Sequence, residues 1–135
     1  MSGLRNRLQL SILPLSSDFL TEKRSQDARG QAHFIVNDQP FCRLLALTLQ
    51  PGSGWRGSHY HQRKSEWLYI LAGRARLQCQ CLIGGESLQI DLEEGSRLLI
   101  PAQVAHRISA LAPLTFLEFS DHAYDQADDI PYSFS

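Results

Sequence analysis

Short apolar runs separated by turn residues occupy most of the chain. From residue 33 onward the runs are HFIV, FCRLLALTL, WLYILA, ARLQCQCLI, SLQIDL, RLLIPA, HRISALA and LTFLEF, and the segments between them include NDQP, PGSG, AGR, GGE, EEGS and PAQV. Strands of this length, bounded by Gly, Pro, Asn and Asp, are typical of an antiparallel sandwich or small barrel rather than of a parallel sheet with crossover helices. The pattern predicts an all-β fold whose barrel occupies about residues 34–120.

The two ends of the chain are less regular. Within residues 1–33, LQLSILPL predicts a short strand or an edge segment, and SSDFLTEKRSQDARGQ predicts an irregular or partly helical lead-in. The tail at residues 121–135, DHAYDQADDIPYSFS, is acidic with interspersed aromatic residues. It is either a solvated extension or a segment packed on the barrel mouth or on a neighbouring subunit. The length of 135 residues favours a single domain spanning residues 1–135.

Charge and hydropathy exclude two classes of partner. Thirteen Lys and Arg against fourteen Asp and Glu give a net charge of -1, so neither a nucleic acid nor a membrane surface is expected as a partner. No apolar run approaches the length that crosses a bilayer. Basic residues outnumber acidic ones over residues 41–110. This excess indicates either a binding site for an anionic ligand or simply a solvated outer surface.

The cysteines point to a reducing compartment. Cys42, Cys79 and Cys81 form no disulfide framework, and no signal peptide opens the chain, so we expect a cytoplasmic protein with free thiols. Cys79 and Cys81 would share one face of a strand, where they fit buried small hydrophobes better than metal ligands. A thiolate zinc site would need two such pairs.

One short stretch concentrates metal-binding side chains. In GSGWRGSHYHQRKSEWLYILAG, residues 52–73, His59 and His61 point to the same side of a strand because side chains alternate. The turn residues QRKS then allow the chain to reverse, so that Glu66 faces the same interior. A second turn and strand, EEGSRLLIPAQVAHRI, lead to His106. If these strands are neighbours in a barrel, three imidazoles and one carboxylate converge on one metal ion.

This donor set narrows the choice of metal. Imidazole and carboxylate together suit zinc, iron, manganese, nickel or copper. Three histidines with a single acid leave room for water or substrate, so the site would be of the catalytic type. The sequence therefore predicts one divalent metal ion, most simply zinc, iron, manganese or nickel. The alternative is a protein that keeps these residues and binds no metal.

The order and spacing of these residues resemble the first conserved motif of the cupin superfamily. That motif reads approximately glycine, five residues, HxH, three or four residues, glutamate, six residues, glycine. Here His59-Tyr60-His61, Glu66 and Gly73 keep the spacing, although the leading glycine is displaced to Gly52 or Gly54. The resemblance implies an antiparallel double-stranded β-helix, or jelly-roll, barrel.

The second cupin motif is also similar, with two departures. Gly95, Pro101 and His106 keep its spacing, whereas Gln103 stands where a glycine is usual and Ala110 where an asparagine is usual. Neither departure falls on a metal ligand of the family. The resemblance covers roughly residues 44–119 and implies a site formed by the residues His59, His61, Glu66 and His106.

Two narrower resemblances suggest an activated sugar as substrate. RGSHYHQRKSEWLYILAGRARL is similar to the cupin domain of capsular-polysaccharide bifunctional enzymes that act on nucleotide-linked amino sugars, and YDQADDIPY is similar to the C-terminus of small sugar-nucleotide ketoisomerases. We expect no counterpart of the first type's reductase domain within these 135 residues. The ketoisomerases usually work without metal and use the HxH histidines for proton transfer, whereas this chain keeps four ligands.

Three functions are compatible with these features. The first is a metal-dependent isomerase or epimerase acting on a sugar nucleotide or related sugar, in which the metal polarises a carbonyl while a base removes the adjacent proton. The second is a cupin dioxygenase that uses non-haem iron. The third is a non-catalytic cupin that binds a small molecule. Candidates for the base are His59, His61, Tyr60 and Lys64, although alternation sends Tyr60 to the opposite face.

The remaining predictions concern substrate and subunit contacts. Four cationic residues beside the motifs could hold a diphosphate or carboxylate of an anionic sugar, and these are Arg56, Arg63, Lys64 and Arg107. Trp67 and Tyr69 lie on the face opposite Glu66 and are read as residues that pack the sheet or a dimer interface. Exposed edge strands of so small a barrel favour a homodimer.

Overall fold

The computed structural model describes residues 3–134, which form a mostly β structure. A short helix, α1 (Gly3–Arg7), is followed by the strands β1 (Ser11–Ile12), β2 (Lys23–Asp27), β3 (Gly30–Phe34), β4 (Arg43–Leu49), β5 (Arg56–Tyr60), β6 (Glu66–Ala72), β7 (Arg74–Cys81), β8 (Ser87–Glu93), β9 (Ser96–Ile100), β10 (Val104–Ala110), β11 (Leu114–Ser120) and, after a 3₁₀ turn at Gln126–Asp128, β12 (Ile130–Pro131). The apolar runs predicted beyond residue 40 all appear as strands.

Two five-stranded sheets face each other. The first has the order β1-β9-β6-β11-β4 and the second the order β12-β5-β10-β7-β8, while β2 and β3 form a separate hairpin. Every pairing between these strands is antiparallel. The prediction of an all-β antiparallel jelly roll is therefore confirmed.

Alternation along the strands places the core between the two sheets. In β7 every second residue is buried, and Ala75, Leu77, Cys79 and Cys81 all belong to this core. Both cysteines are free and buried, as predicted. Apolar side chains removed from water stabilise a fold by about 25 cal/mol per Å². The interior of the sandwich is thus the main source of stability.

A second apolar cluster covers the outer face of the first sheet. Tyr69 and Phe119 are buried there, and Trp67 stacks on Phe119 with ring centroids 6.1 Å apart. Leu13 joins them from the N-terminal segment. Trp67 and Tyr69 therefore pack the sheet, as predicted, and do not face the barrel interior.

The N-terminal lead-in differs from its prediction. The segment read as irregular or partly helical forms the hairpin of β2 and β3, while the short strand predicted in LQLSILPL is present as β1. The hairpin is polar, so its sequence carries no apolar alternation. Its position is fixed instead by contacts distant in sequence, such as the hydrogen bond from Arg24 Nε to the Leu13 carbonyl at 2.9 Å. Pairing and docking override the weak local preference here.

Gly73 forms the turn between β6 and β7. Its φ is +89°, and a Cβ at this position would lie 2.1 Å from the carbonyl oxygen of Pro113. Only glycine combines this backbone conformation with so close an approach. The motif glycine is therefore required by the fold at the end of the barrel away from the histidines. Within residues 3–134 no helix is long and apolar enough to span a membrane.

Candidate metal centre

Four side chains meet inside one end of the sandwich. Nitrogen atoms of His59, His61 and His106 and an oxygen of Glu66 all lie within 4.8 Å of one another. The Glu66 Oε1 atom lies 2.9 Å from Nε2 of His106 and 3.5 Å from Nε2 of His61. Ligands bound about 2.1 Å from one ion lie about 3.0–3.4 Å from each other, so these spacings suit a single metal.

A β-bulge in β5 sets the position of His59. The pairing of β5 with β10 shifts register by one residue. His106 pairs with His59, whereas the next residue, Arg107, pairs with Gly57, so Ser58 is the extra residue in β5. Gly57 and Ser58 have φ values of +99° and +57°. A Cβ on Gly57 would lie 3.1 Å from the His106 carbonyl oxygen. Bulges of this kind redirect side chains next to functional sites, and here the two histidines are brought together.

Each imidazole is held through its Nδ1 atom. Nδ1 of His61 donates to the Asp128 carbonyl at 2.7 Å, and Nδ1 of His106 donates to the Val104 carbonyl at 3.0 Å. Nδ1 of His59 donates a hydrogen bond to the Asp129 carboxylate at 3.0 Å. A neutral imidazole that donates through Nδ1 has a bare lone pair on Nε2. All three Nε2 lone pairs therefore face the same space as Glu66.

This arrangement fits a cation. Among residues 3–134, the buried Nε2 of His61 has no hydrogen-bond partner, and Nε2 atoms of His59 and His106 are only 3.1 Å apart. Three lone pairs and a carboxylate repel each other unless protons or a metal ion lie between them. Histidines that donate their other N–H to a carbonyl or carboxylate are the usual arrangement around bound metals. The residues present therefore fit a divalent ion.

Glu66 and the histidines around it shift one another's pKa values. Burial lowers the pKa of His59 to about 4, and the adjacent His106 adds to this effect. Burial also lowers the pKa of His61, but the Glu66 carboxylate outweighs it and the net shift is upward. Burial raises the pKa of Glu66, whereas His106 and His61 hold it well below its usual range. Glu66 is thus an anion at neutral pH, as a metal ligand must be.

A cavity of about 290 Å³ opens beside the four side chains. Its lining includes the polar residues Arg43, Arg56, Lys64, Glu118, Tyr124 and Asp129 in addition to the cluster. Lys64 is buried, with Nζ 3.9 Å from Oε2 of Glu66. Burial raises the pKa of Glu118 to about 7, and the charge of Glu66 adds to the shift. The cavity therefore contains both cations and a carboxyl group able to exchange a proton near neutral pH.

The structure brings only some of the predicted substrate and catalytic residues to this cavity. Arg56 and Lys64 line it. Arg63 is exposed and pairs with Asp125, while Arg107 stacks between the rings of Trp55 and Phe134, 4.3 and 4.5 Å from their centroids.

Tyr60 packs on Tyr132, with ring centroids 6.4 Å apart. Alternation accounts for the outward direction of Tyr60 and Arg107, because each is next in sequence to an inward-facing histidine.

Other cavity residues were not among the sequence predictions. Arg43 and Glu118 lie on β4 and β11, and alternation from the buried Phe116 would have placed Glu118 on the inward face. Tyr124 and Asp129 belong to the acidic tail. The tail packs across the barrel mouth, and β12 pairs with β5 at Ile130 and Pro131. Of the two alternatives for the tail, the structure shows the packed one.

Comparison with known proteins gives one family. Residues 45–120 match the family described as Cupin domain. No curated protein matches the chain significantly by sequence.

Solved structures extend the similarity beyond those residues. The sugar 3,4-ketoisomerase QdtA from Thermoanaerobacterium thermosaccharolyticum, solved in complex with TDP, superposes with a TM-score of 0.71 at 19% identity, covering 90% of this chain and 86% of that one. The TDP-quinovose 3,4-ketoisomerase WlaRB from Campylobacter jejuni gives 0.70 at 17% identity, covering 90% and 92%. The capsular polysaccharide assembling protein CapF from Staphylococcus aureus gives 0.62 at 16% identity, with 68% of this chain matching 26% of that one. The TM-scores of these three comparisons establish a shared fold.

Proposed function

This chain belongs to the cupin domain family, and we propose that it is a metal-binding isomerase or epimerase acting on a sugar nucleotide or related sugar. The observation that carries the proposal is the cluster of four ligand atoms within 4.8 Å of one another, beside a cavity with cationic walls. The proposed ligands are His59, His61, Glu66 and His106. The fold shared with two sugar-nucleotide ketoisomerases supports the substrate class.

The chemistry of the proposed reaction has two requirements. A sugar isomerase or epimerase must stabilise negative charge at a carbonyl oxygen and move a proton at an adjacent carbon. His59, His61, Glu66 and His106 would hold a divalent ion, which would meet the first requirement by polarising the carbonyl. The second requires a side chain in the cavity that can hold a proton.

Two cavity residues suit the proton transfer. Lys64 presents Nζ beside Glu66, and Glu118 presents a carboxyl group with a pKa raised to about 7 by burial. A group with a pKa near the working pH exchanges protons most effectively. His59 and His61 would be occupied as ligands, so we assign the proton transfer to Glu118 or Lys64.

Cationic side chains support an anionic substrate. Arg43 and Arg56 line the same cavity as the cluster. A guanidinium offers paired N–H donors to a phosphate or carboxylate. Because Arg63 and Arg107 point away from the cavity, we propose that Arg43 and Arg56 hold the charged part of the substrate.

The first experiment measures metal content by mass spectrometry in protein purified without added metal. We expect about one equivalent in the wild type and loss in His61→Ala and Glu66→Ala. His122→Ala is the matched control, because its side chain is exposed at 53% and pairs only with the neighbouring Asp121 among the described ion pairs. Wild-type protein that stays metal-free after divalent ions are supplied would overturn the metal assignment.

The second experiment tests turnover with TDP-4-keto-6-deoxyglucose, the compound bound in another QdtA structure. The proposal predicts exchange of the proton next to the ketone with deuterium from D₂O, followed by NMR, and loss of this exchange in Glu66→Ala. Bound iron together with oxygen consumption and no exchange would replace the isomerase with a dioxygenase. Saturable binding of the sugar nucleotide without either reaction would identify a non-catalytic binding protein.

We also propose that the protein is a homodimer. An apolar groove of about 220 Å³ is lined by residues that include Ile35, Phe41, Leu44 and Phe119. Phe41 and Leu44 are 43% and 57% exposed, and β4 is an edge strand of the first sheet. Contiguous exposed apolar surface at a sheet edge favours association. A light-scattering mass near one chain at micromolar concentration would contradict the dimer.

A further inference from the structure

One residue of the tail contacts three consecutive residues at the metal centre. The Asp128 carbonyl accepts from Nδ1 of His61, and its carboxylate accepts from the backbone N–H groups of Gln62 at 2.8 Å and Arg63 at 3.2 Å. Asp128 is 5% exposed. These contacts span the turn that leads from His61 to Lys64 and Glu66. The geometry of that turn therefore depends on a residue more than sixty positions away.

Asp129 contacts the site from the other side. Its Oδ1 atom accepts from Nδ1 of His59 at 3.0 Å, and its Oδ2 atom accepts from the Tyr124 hydroxyl at 3.2 Å. The Tyr124 ring packs under the Arg43 guanidinium, with the carbon atom 4.6 Å from the ring centroid. The carboxylate thus connects a proposed ligand with the cationic wall of the cavity.

The tail is anchored on both sides of these two residues. Asp125 caps the 3₁₀ turn by accepting from the Ala127 N–H. Beyond Asp129, β12 pairs with β5, and the Tyr132 N–H donates to the Ser58 carbonyl at 2.8 Å. Ser58 is the bulged residue that directs His59. The same segment therefore holds the bulge, the two histidines of the first motif and the turn that follows them.

We propose that Asp128 and Asp129 are positioning residues of the metal centre, which fix His61 and His59 in the tautomer whose Nε2 faces the ion. The inference rests on the proposed metal-binding function. A carboxylate or carbonyl that accepts the remote N–H of a ligating histidine orients the ring and increases its basicity, and its loss typically lowers metal affinity by about 10- to 100-fold. The tail is thus part of the site.

The first test measures Zn²⁺ affinity of the full chain by competition with a chromophoric chelator. Asp128→Asn keeps the backbone carbonyl that accepts from His61, but it replaces one of the carboxylate oxygens that accept from the Gln62 and Arg63 N–H groups with an NH₂ donor and so loosens the turn that aligns the carbonyl. Asp129→Ala removes the acceptor of the His59 N–H outright. We expect Asp129→Ala to weaken Zn²⁺ binding by about 10- to 100-fold and Asp128→Asn to weaken it by a smaller factor. Asp121→Ala is the matched control in the same tail, since Asp121 is exposed and contacts His122, and it should leave the affinity unchanged.

The second test reads the tautomers directly in metal-free protein. Two-bond ¹H–¹⁵N spectra of the imidazoles distinguish Nδ1–H from Nε2–H forms. The proposal predicts Nδ1–H for His59 and His61 in the wild type, loss of this form at His59 in Asp129→Ala, and a smaller fraction of it at His61 in Asp128→Asn, where the carbonyl remains but the turn that aligns it is loosened. A tail that only stabilised the fold would lower the melting temperature of both variants and leave these spectra and the affinity of the folded protein unchanged.

The outcomes separate this inference from the proposed function. If the wild type binds Zn²⁺ and both variants bind it equally well, the positioning roles are overturned while the metal site stands. If the wild type binds no metal, the metal site is overturned, and the tautomer spectra decide whether Asp128 and Asp129 position the histidines. Should Asp128→Asn fail to fold, Asp129→Ala, whose side chain is 31% exposed in the wild type, decides alone.

Discussion

The two ends of the barrel interior differ in chemistry although the same strands build both. Along β6 the inward side chains change from Glu66 to Leu68 and Ile70, and along β11 they change from Glu118 to the fully buried Phe116. The end with Glu66 and Glu118, the open end, is therefore a polar cavity, and the end with Ile70 and Phe116, the closed end, is an apolar core. Strand alternation thus decides which side chains face inward, whereas position along the strand decides whether they stabilise the fold or form the site.

The two ends make opposite contributions to stability. Apolar burial at the closed end is favourable, whereas removing carboxylates and imidazoles from water at the open end is costly unless they are paired. Two side chains at the open end are held by hydrogen bonds to a distant segment, His61 to the Asp128 carbonyl and His59 to the Asp129 carboxylate. Substitutions at the two ends should therefore affect stability and metal binding separately.

Phe116→Ala should give the largest loss of stability. Its ring is fully buried in the core between the sheets, so the free energy of unfolding should fall by about 3–5 kcal/mol. Chemical denaturation of metal-free protein measures this loss. Phe19→Ala is the control, because Phe19 is 96% exposed and should change stability by less than about 0.5 kcal/mol. Equal losses would contradict the assignment of the core.

Gly73→Ala tests the turn at the closed end. Gly73 and Gly84 have similar φ values of +89° and +87°, but only at Gly73 would a Cβ meet backbone, with Pro113 O at 2.1 Å. Placing alanine at positive φ should cost about 1 kcal/mol at Gly84, and the collision should add to this at Gly73. Thermal unfolding of the two variants measures the difference, and indistinguishable melting temperatures would refute it.

A double variant, Glu66→Leu with Lys64→Met, should separate function from stability at the open end. Replacing both members of a buried ion pair with apolar residues of similar size is often neutral or stabilising, so the metal-free double variant should stay within about 1 kcal/mol of the wild type while losing its metal. Leu68→Ala, two residues along on the same face, should instead lose about 2–5 kcal/mol. Denaturation and metal analysis of both variants test the contrast. A large destabilisation by the double variant would contradict it.

The smallest expected effect is on the pH dependence of stability, and it comes from His33, which contacts Tyr69 on the outer face of the first sheet. Burial lowers the pKa of His33 from 6.5, and its Nδ1 lies 2.6 Å from the Tyr69 hydroxyl. Because the unfolded chain binds this proton more readily, the stability contributed by neutral His33 is present above pH 6.5 and declines as the pH falls below it. Melting temperatures at about pH 7.5 and 5.5 should therefore differ slightly less in His33→Gln than in the wild type. An identical pH dependence would exclude the effect.

The motif residues could be predicted because their signals are local. The alternation of His59 with His61, the turn before Glu66 and the return of the chain at His106 are properties of short segments, and the structure brings these side chains together. Gln103 shows the limit of such reasoning. It stands where the family usually has glycine and adopts a φ of +65°, with its N–H donating to the His61 carbonyl. Tertiary contacts hold an unfavourable conformation that its residue type would not suggest.

Local patterns were enough to predict the all-β fold, the strand positions from β4 to β11 and the identity of the four clustered side chains, because the period of a strand and the residues of a turn act over a few positions. The N-terminal hairpin, the strand β12 and the tail contacts of Asp128 and Asp129 follow only from the tertiary structure. These features join segments far apart in the chain. Their free energy comes from pairing and burial between segments, which no local pattern encodes.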